Sequence, residues 1–207
     1  LGTSGVSLLE MTSAYGALAH EGVSMAPTAL QAVMTAEGDP AWRHTPVRHQ
    51  AVSPQAAYVM TSLLKGVVER GTAAKAKSLG LRGIVAGKTG TTDGYRDAWF
   101  VGYTPDVVVG AWVGFDDEEA LHLTGAQAAL PMWVEFVRQI LPAAPRDFAV
   151  PPAVITRDID PQSSQLATSK CPHRAAEWFI EGTEPSVYCE VHGSGIWERV
   201  KRSFGFF

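Results

Sequence analysis

The sequence predicts an α+β chain: helices come first, a three-stranded antiparallel meander packed with them follows, and a small C-terminal module ends the order. Three observations carry this. Apolar residues recur at helical spacing up to about residue 80. The period then changes to β-branched and aromatic runs at Ile84–Thr91, Ala98–Tyr103 and Val107–Phe115. Finally, Pro142, Pro145, Pro151 and Pro152 mark off what lies beyond.

Ser7-Leu8-Leu9-Glu10 has the form of a capping box and opens a helix that carries Met11, Ala14, Tyr15, Leu18 and Ala19 before Gly22 closes it. Leu30–Thr35 reads as a short strand. Ser53 as N-cap with Pro54 at the first helical position starts a second helix, with Val59, Leu63, Leu64, Val67 and Val68 on its apolar face and Gly71 as its stop. A shorter helix is expected from Thr72 to near Gly80. Asp93-Gly94 and Thr104-Pro105-Asp106 are the turns between the three strands. A last helix, about 126–141, has Pro131 near its start and offers Met132, Trp133, Phe136, Val137 and Ile140 to a core. The expected organisation is a main domain at 1–142, a proline-rich linker at 143–152, a module with two cysteines at 153–192 and a tail at 193–207. Within the module Val154–Ile159 and Glu177–Ile180 read as strands. Trp197–Phe207 mixes basic and aromatic residues and reads either as an amphipathic contact segment or as a frayed terminus.

Composition narrows the function. With 46% apolar and 18% charged residues in 207, the chain has the makeup of a soluble globular protein of one or two domains. A net charge of -4 with no long basic run argues against nucleic acid as a partner. No apolar run approaches membrane-spanning length and Leu1 does not begin a signal peptide, so the chain is expected to be a piece of a longer protein.

One segment points to chemistry. Lys88-Thr89-Gly90-Thr91 ends the run that starts at Ile84, and it packs a fixed positive charge, hydroxyls and a side-chain-free backbone into four positions. On an edge strand such a set would bind an extended peptide by its backbone and hold a carboxylate or a developing negative charge. The alternative reading, a solvated strand end, rests on how common so short a match is. Gly87-Lys88-Thr89 also resembles the end of a phosphate-binding loop, but that pattern needs a glycine where Arg82 stands, and Thr91-Thr92-Asp93-Gly94 reads as a turn where a helix should begin. Nucleotide binding is excluded on spacing.

The run from Gly87 through Lys88-Thr89-Gly90-Thr91-Thr92-Asp93-Gly94-Tyr95-Arg96-Asp97-Ala98-Trp99-Phe100-Val101-Gly102-Tyr103-Thr104-Pro105, continuing to Trp112-Val113-Gly114-Phe115-Asp116-Asp117, resembles the transpeptidase domain of class A penicillin-binding proteins. Ser53–Tyr58, Glu69–Ala73 and Leu1–Gly22 resemble flanking parts of that domain, so the likeness covers roughly residues 1–142, with a characteristic tail after it. The resemblance implies the serine β-lactamase and penicillin-binding-protein-like fold, here incomplete, and an acyl transfer from the D-Ala-D-Ala end of peptidoglycan stem peptides that β-lactams intercept. It implies that Lys88 tunes a proton network and that Thr89, Gly90, Thr91 and Thr92 bind substrate. It also implies that the Thr91 hydroxyl meets a carboxylate while the Thr91 N–H is half of an oxyanion hole. Implied partners are the stem peptide, β-lactams and other cell-wall synthesis proteins. The implied location is the extracytoplasmic face of a bacterial inner membrane, through an N-terminal anchor that this chain does not contain. No cofactor and no metal at the site are implied.

The family's serine in S-x-x-K and its S-x-N motif are the points of departure. Ser62-Leu63-Leu64-Lys65 fits the first as a string but lies in the helix that resembles a non-catalytic one, and the 207 residues contain no asparagine. The fragment by itself is therefore expected to be inactive, and the upstream strands that would complete its sheet beside Val107–Phe115 are expected to leave apolar surface exposed where they are missing. A β-lactamase-like hydrolase and a non-catalytic peptide-binding module are the alternatives.

Cys171-Pro172, Phe179–Pro185 and Cys189-x-x-His192 resemble the family's C-terminal tail. A Cys171–Cys189 disulfide is the favoured reading; free thiols, or zinc held by Cys171, His173, Cys189 and His192, are the others. His20, His44, His49 and His122 read as surface residues. Trp99 and Trp112 read as sheet core, Asp97 as a cap on the turn after Gly94, and Asp116-Asp117-Glu118-Glu119 as a solvated loop.

Overall fold

Ser7 starts the first helix, α1 (Leu8–Ala19): its hydroxyl accepts from the Glu10 N–H at 3.2 Å, while the Glu10 carboxylate accepts from the Ser7 N–H at 2.8 Å. Two orphan amides are satisfied by one sequence motif. The structure, a computed structural model, describes residues 4–117, 119–142 and 146–193. Glu118, Pro145 and the Trp197–Phe207 segment lie outside the described residues. The chain divides into two units, Leu1–Val150 and Pro151–Phe207.

In the first unit α1 is followed by four short strands, β1 (Val23–Met25), β2 (Ala32–Met34), β3 (Pro40–Arg43) and β4 (Arg48–Gln50), which pair antiparallel as β1 with β4 and β2 with β3. Only the second of these has a counterpart among the expected strands. Helix α2 (Pro54–Glu69) opens on Ser53, whose hydroxyl accepts from the Ala56 N–H at 3.1 Å. In place of the helix expected from Thr72, the chain makes turns and one 3-10 turn at Ala74–Ala76. The meander is present: β5 (Ala86–Thr91), β6 (Asp97–Tyr103) and β7 (Val108–Gly114) form an antiparallel sheet in sequence order. Helix α3 (Ala129–Ile140) closes the unit.

Side chains alternate across a strand, so the register sorts the sheet into two faces. Thr89, Phe100 and Ala111 lie in one row, Lys88, Val101 and Gly110 in the next row on the opposite face. The first face holds the core, where Phe100 and Ala111 meet Trp133, Val134, Val137 and Leu130 of α3 and Val68 of α2. Phe100 and Trp133 touch edge to face with ring centroids 5.0 Å apart, and the Trp133 indole donates to the Val109 carbonyl at 2.8 Å. The helices bury less than their apolar patterns suggest. In α3, Met132, Phe136 and Ile140 are exposed while Trp133, Val134 and Val137 are buried; in α2, Leu63 is exposed; in α1, Ala17 is the one buried residue and Ala14 faces solvent.

The stretch expected as a linker belongs in part to this unit. Phe148 is buried against Tyr103, with ring centroids 5.5 Å apart, and Asp147 accepts from the Lys65 ammonium at 3.1 Å. Arg146 pairs with Asp106.

The second unit is a small antiparallel sheet in which β8 (Val154–Asp160) lies between β9 (Gln165–Leu166) and β10 (Ala175–Ile180), ended by a short helix, α4 (Glu190–Gly193). Six residue pairs join β8 and β10, from Ala175 opposite Ile159 to Ile180 opposite Val154.

Tyr103 ties the first unit together. Fully buried, it shares a hydrogen bond with the Thr61 hydroxyl at 2.9 Å and meets the Tyr15 ring edge-on. Burial pushes its phenol from 10.0 up to about 12, against a smaller lowering by the Thr61 hydrogen bond. The folded state therefore keeps this proton longer than the unfolded chain does. Its contribution is complete below pH 10 and is lost as pH rises through about 12. Denaturant midpoints measured across that window should fall in the parent chain and fall less in Tyr103→Phe. Tyr15 and Tyr58, raised in the same direction by burial, supply the remaining slope.

Candidate functional site

The backbone of β5 is the centre of the site. Thr92 N–H donates to the Asp97 carbonyl at 3.1 Å, in register with the ladder above it. In an antiparallel pair, hydrogen-bonded and non-hydrogen-bonded positions alternate. Gly90 with Trp99 and Lys88 with Val101 are therefore the bonded pairs, and the N–H and C=O groups of Thr89 and Thr91 turn to the other side. On that side β5 has no strand partner among the described residues. The result is an open edge presenting the Thr89 and Thr91 amides together.

The side chains around this edge are held by specific bonds. Lys88 is exposed, and its ammonium donates to the outward Thr89 carbonyl at 2.7 Å. Positive charge thus lies along the edge. The Thr89 hydroxyl shares a hydrogen bond at 2.8 Å with that of Thr72, from the turn after α2. The Thr91 hydroxyl accepts from the Gly125 N–H at 3.0 Å, which leaves its own proton for another acceptor. Gly125 is buried, and a Cβ there would collide with the Gly90 and Trp99 carbonyls, so only glycine lets this loop lie on the β5–β6 ladder.

The turn between β5 and β6 is built to keep the ladder in register. Gly94 takes a φ of +73° and Asp97 ties the turn from the far side. The Asp97 N–H donates to the Thr92 hydroxyl at 2.8 Å, that hydroxyl donates to one Asp97 carboxylate oxygen at 3.0 Å, and the Trp112 indole donates to the other at 2.8 Å. Asp97 is thus the turn-tying residue that the sequence suggests. Trp99 and Trp112 stand opposite each other in the register and are half-buried, not core.

Lys88, Thr89, Gly90, Thr91 and Thr92 are brought together as one strand end. Thr72 and Gly125 are the members that sequence reasoning missed: each lies far from the motif in the chain and is delivered by folding, and neither carries a local pattern. Lys65 of the Ser62-x-x-Lys65 string lies within α2 and its ammonium is paired with Asp147 at 3.1 Å. His44, expected at the surface, is half-buried, and its Nε2 has no hydrogen-bond partner among the described residues. In the second unit Cys171 and Cys189 are free and buried, so the favoured disulfide is not formed. Their sulfurs belong instead to a cluster with Asp160 and His192, and His173 stays outside it, exposed.

Comparison with known proteins identifies the family. Residues 1–129 fit the family described as penicillin binding protein transpeptidase domain, and residues 150–194 fit the penicillin-binding protein 1A, C-terminal domain. The chain belongs to the penicillin-binding protein transpeptidase family. Among individual proteins it is similar to penicillin-binding protein 1A of Aquifex aeolicus, 36% identical over 192 residues, which are 91% of this chain and 26% of that protein. The chain therefore spans about a quarter of the length of this relative. Penicillin-binding protein 1A from Haemophilus influenzae shares the fold, with a TM-score of 0.80 over 89% of this chain and 33% of that one at 23% identity. The D,D-transpeptidase domain of a peptidoglycan glycosyltransferase from Eggerthella lenta is 32% identical with a TM-score of 0.50, over 65% of this chain and 33% of that one.

Removing the Asp97 carboxylate leaves the Trp112 N–H without its acceptor and the turn without its tie. Asp97→Ala is expected to lower stability by about 1–3 kcal/mol, the range for a stranded donor, as urea denaturation will measure.

Proposed function

We propose that the β5 edge is the substrate-binding wall of a peptidoglycan D,D-transpeptidase to which this chain contributes, and that a stem peptide ending in D-Ala-D-Ala lies along it as an added strand. The observation that carries this reading is the open edge itself: two outward amides, a lysine laid along them and a threonine hydroxyl with a proton to give, in a chain of the penicillin-binding transpeptidase family.

The chemistry is an acyl transfer. A serine outside these 207 residues attacks the carbonyl of the penultimate D-alanine, its proton passes into a network that Lys88 holds at positive potential, and terminal D-alanine leaves with a proton on its amine. The outward Thr91 N–H donates to the growing oxyanion, a role worth about 10²–10³ in rate for one donor. The Thr91 hydroxyl donates to the substrate's terminal carboxylate, and Thr89 is kept in place by Thr72 so that the edge stays straight. An amine of a second stem peptide then takes the acyl group from the serine. A β-lactam enters by the same route because it presents an acyl carbonyl and a carboxylate at similar spacing. The edge hydrogen bonds and the lysine supply the binding energy, and the absent hydroxyl supplies the bond-forming step, so the 207 residues alone do not turn over. The site works at the extracytoplasmic face of the inner membrane, where its substrate is, and among the described residues no helix is long and apolar enough to cross a membrane.

In the full-length protein Lys88→Ala should slow covalent labelling by a fluorescent penicillin by about 100-fold, the scale of one lost charged donor, with no change in melting temperature. Unchanged labelling would remove Lys88 from the mechanism.

A further inference from the structure

The second unit has little apolar substance to hold it. Among its described residues Ile159 is the one buried apolar side chain apart from the two cysteines. Small folded units with so little core commonly add a disulfide, a metal or association with another surface. What the interior holds instead is chemistry. Asp160 is 1% exposed, Cys189 2% and Cys171 6%, and with His192 they bring four ligating atoms within 4.8 Å of one another.

The spacing of Cys189, Asp160 and His192 suits a metal ion, and Cys171 Sγ lies within 4.8 Å of all three ligand atoms. Cys189 Sγ lies 3.2 Å from Asp160 Oδ2 and 3.4 Å from His192 Nδ1, and His192 Nδ1 lies 3.4 Å from Asp160 Oδ2. A tetrahedron whose centre-to-vertex lengths are about 2.0–2.3 Å, the zinc–ligand range, has edges of about 3.3–3.8 Å. We propose that Asp160, Cys171, Cys189 and His192 form a structural zinc site that staples the C-terminal module. Two thiolates, an imidazole and a carboxylate make a donor set that favours zinc over magnesium or calcium, and four protein ligands leave no open position for catalysis.

The four ligands come from three pieces of the small fold, and each is oriented by its own partners. Asp160 ends β8, and Ser163 fixes its carboxylate from the following turn through its N–H at 3.1 Å and its hydroxyl at 2.7 Å. Cys171 closes a turn in which the Thr168 N–H donates to its sulfur at 3.3 Å. Cys189 and His192 flank the first turn of α4, where the His192 N–H donates to Cys189 Sγ at 3.4 Å. The Cys189 N–H is held by the Leu166 carbonyl of β9 at 2.8 Å. Orientation of this kind is what metal ligands require of their surroundings.

The test uses the full 207-residue chain, purified in reductant without added metal. Elemental analysis should find about one zinc ion per chain, and cobalt exchanged for it should give the intense visible bands of a tetrahedral thiolate site. Cys189→Ser and Asp160→Asn should lose the bound metal. Ser163→Ala, which leaves all four ligands in place, should weaken zinc affinity by about 10–100-fold in chelator competition. His173→Ala should keep it. The proposal is overturned if chains purified without reductant or with it carry no stoichiometric metal, if zinc-free folded chain shows the mass of a Cys171–Cys189 disulfide, or if His173→Ala loses zinc as fully as Asp160→Asn. None of these outcomes depends on the transpeptidase reading.

Discussion

Among the described residues β5 pairs with β6 on one side only, and that is the constraint on which the site rests. A strand has two rows of backbone groups, and once the ladder claims one row the register decides which amides the other presents. Thr89 and Thr91 present theirs because Gly90 and Lys88 spend theirs on Trp99 and Val101. Shifting the pairing by one residue would exchange the rows and turn every side chain to the opposite face. The devices that hold the register are therefore part of the site: the Gly94 turn, the Asp97 carboxylate shared between Thr92 and Trp112, and the Gly125 loop laid on the ladder.

The core serves the same end from one face. Phe100 and Trp133 pack where Gly102 leaves room, since a Cβ at Gly102 would meet both rings. Thr89 lies on that face and is caught by Thr72, whereas Lys88 lies on the other, facing solvent. Alternation along a strand thus separates support from chemistry within adjacent residues. Pairing β5 on one side while its other edge has no strand partner among the described residues leaves an accessible row of donors, the arrangement that the proposed oxyanion role requires.

The second unit solves its stability by other means. Where the first has an aromatic and aliphatic core, this one gathers Asp160, Cys171, Cys189 and His192. Removing a lone charged group from water is costly, and burying several together is stable only when they satisfy one another or share a cation.

Local physics in the sequence determined a good deal of this protein. The capping box at Ser7, the Ser53-Pro54 start of α2, the three strands and their turns, and the lysine motif at the end of β5 were all legible, because caps, turns and strand alternation depend on neighbours in the chain. Family likeness in a long run of residues then pointed to the reaction class. Tertiary structure alone decided the rest. It exposed Met132, Phe136 and Ile140 on a helix whose apolar pattern is wider than its buried face, and it packed Phe148 onto Tyr103 from a stretch whose prolines read as a linker. It delivered Thr72 and Gly125 to the strand end, and it put Asp160, not His173, beside the cysteines. These outcomes turn on which distant segments meet, and spacing along a chain carries no record of distance through space.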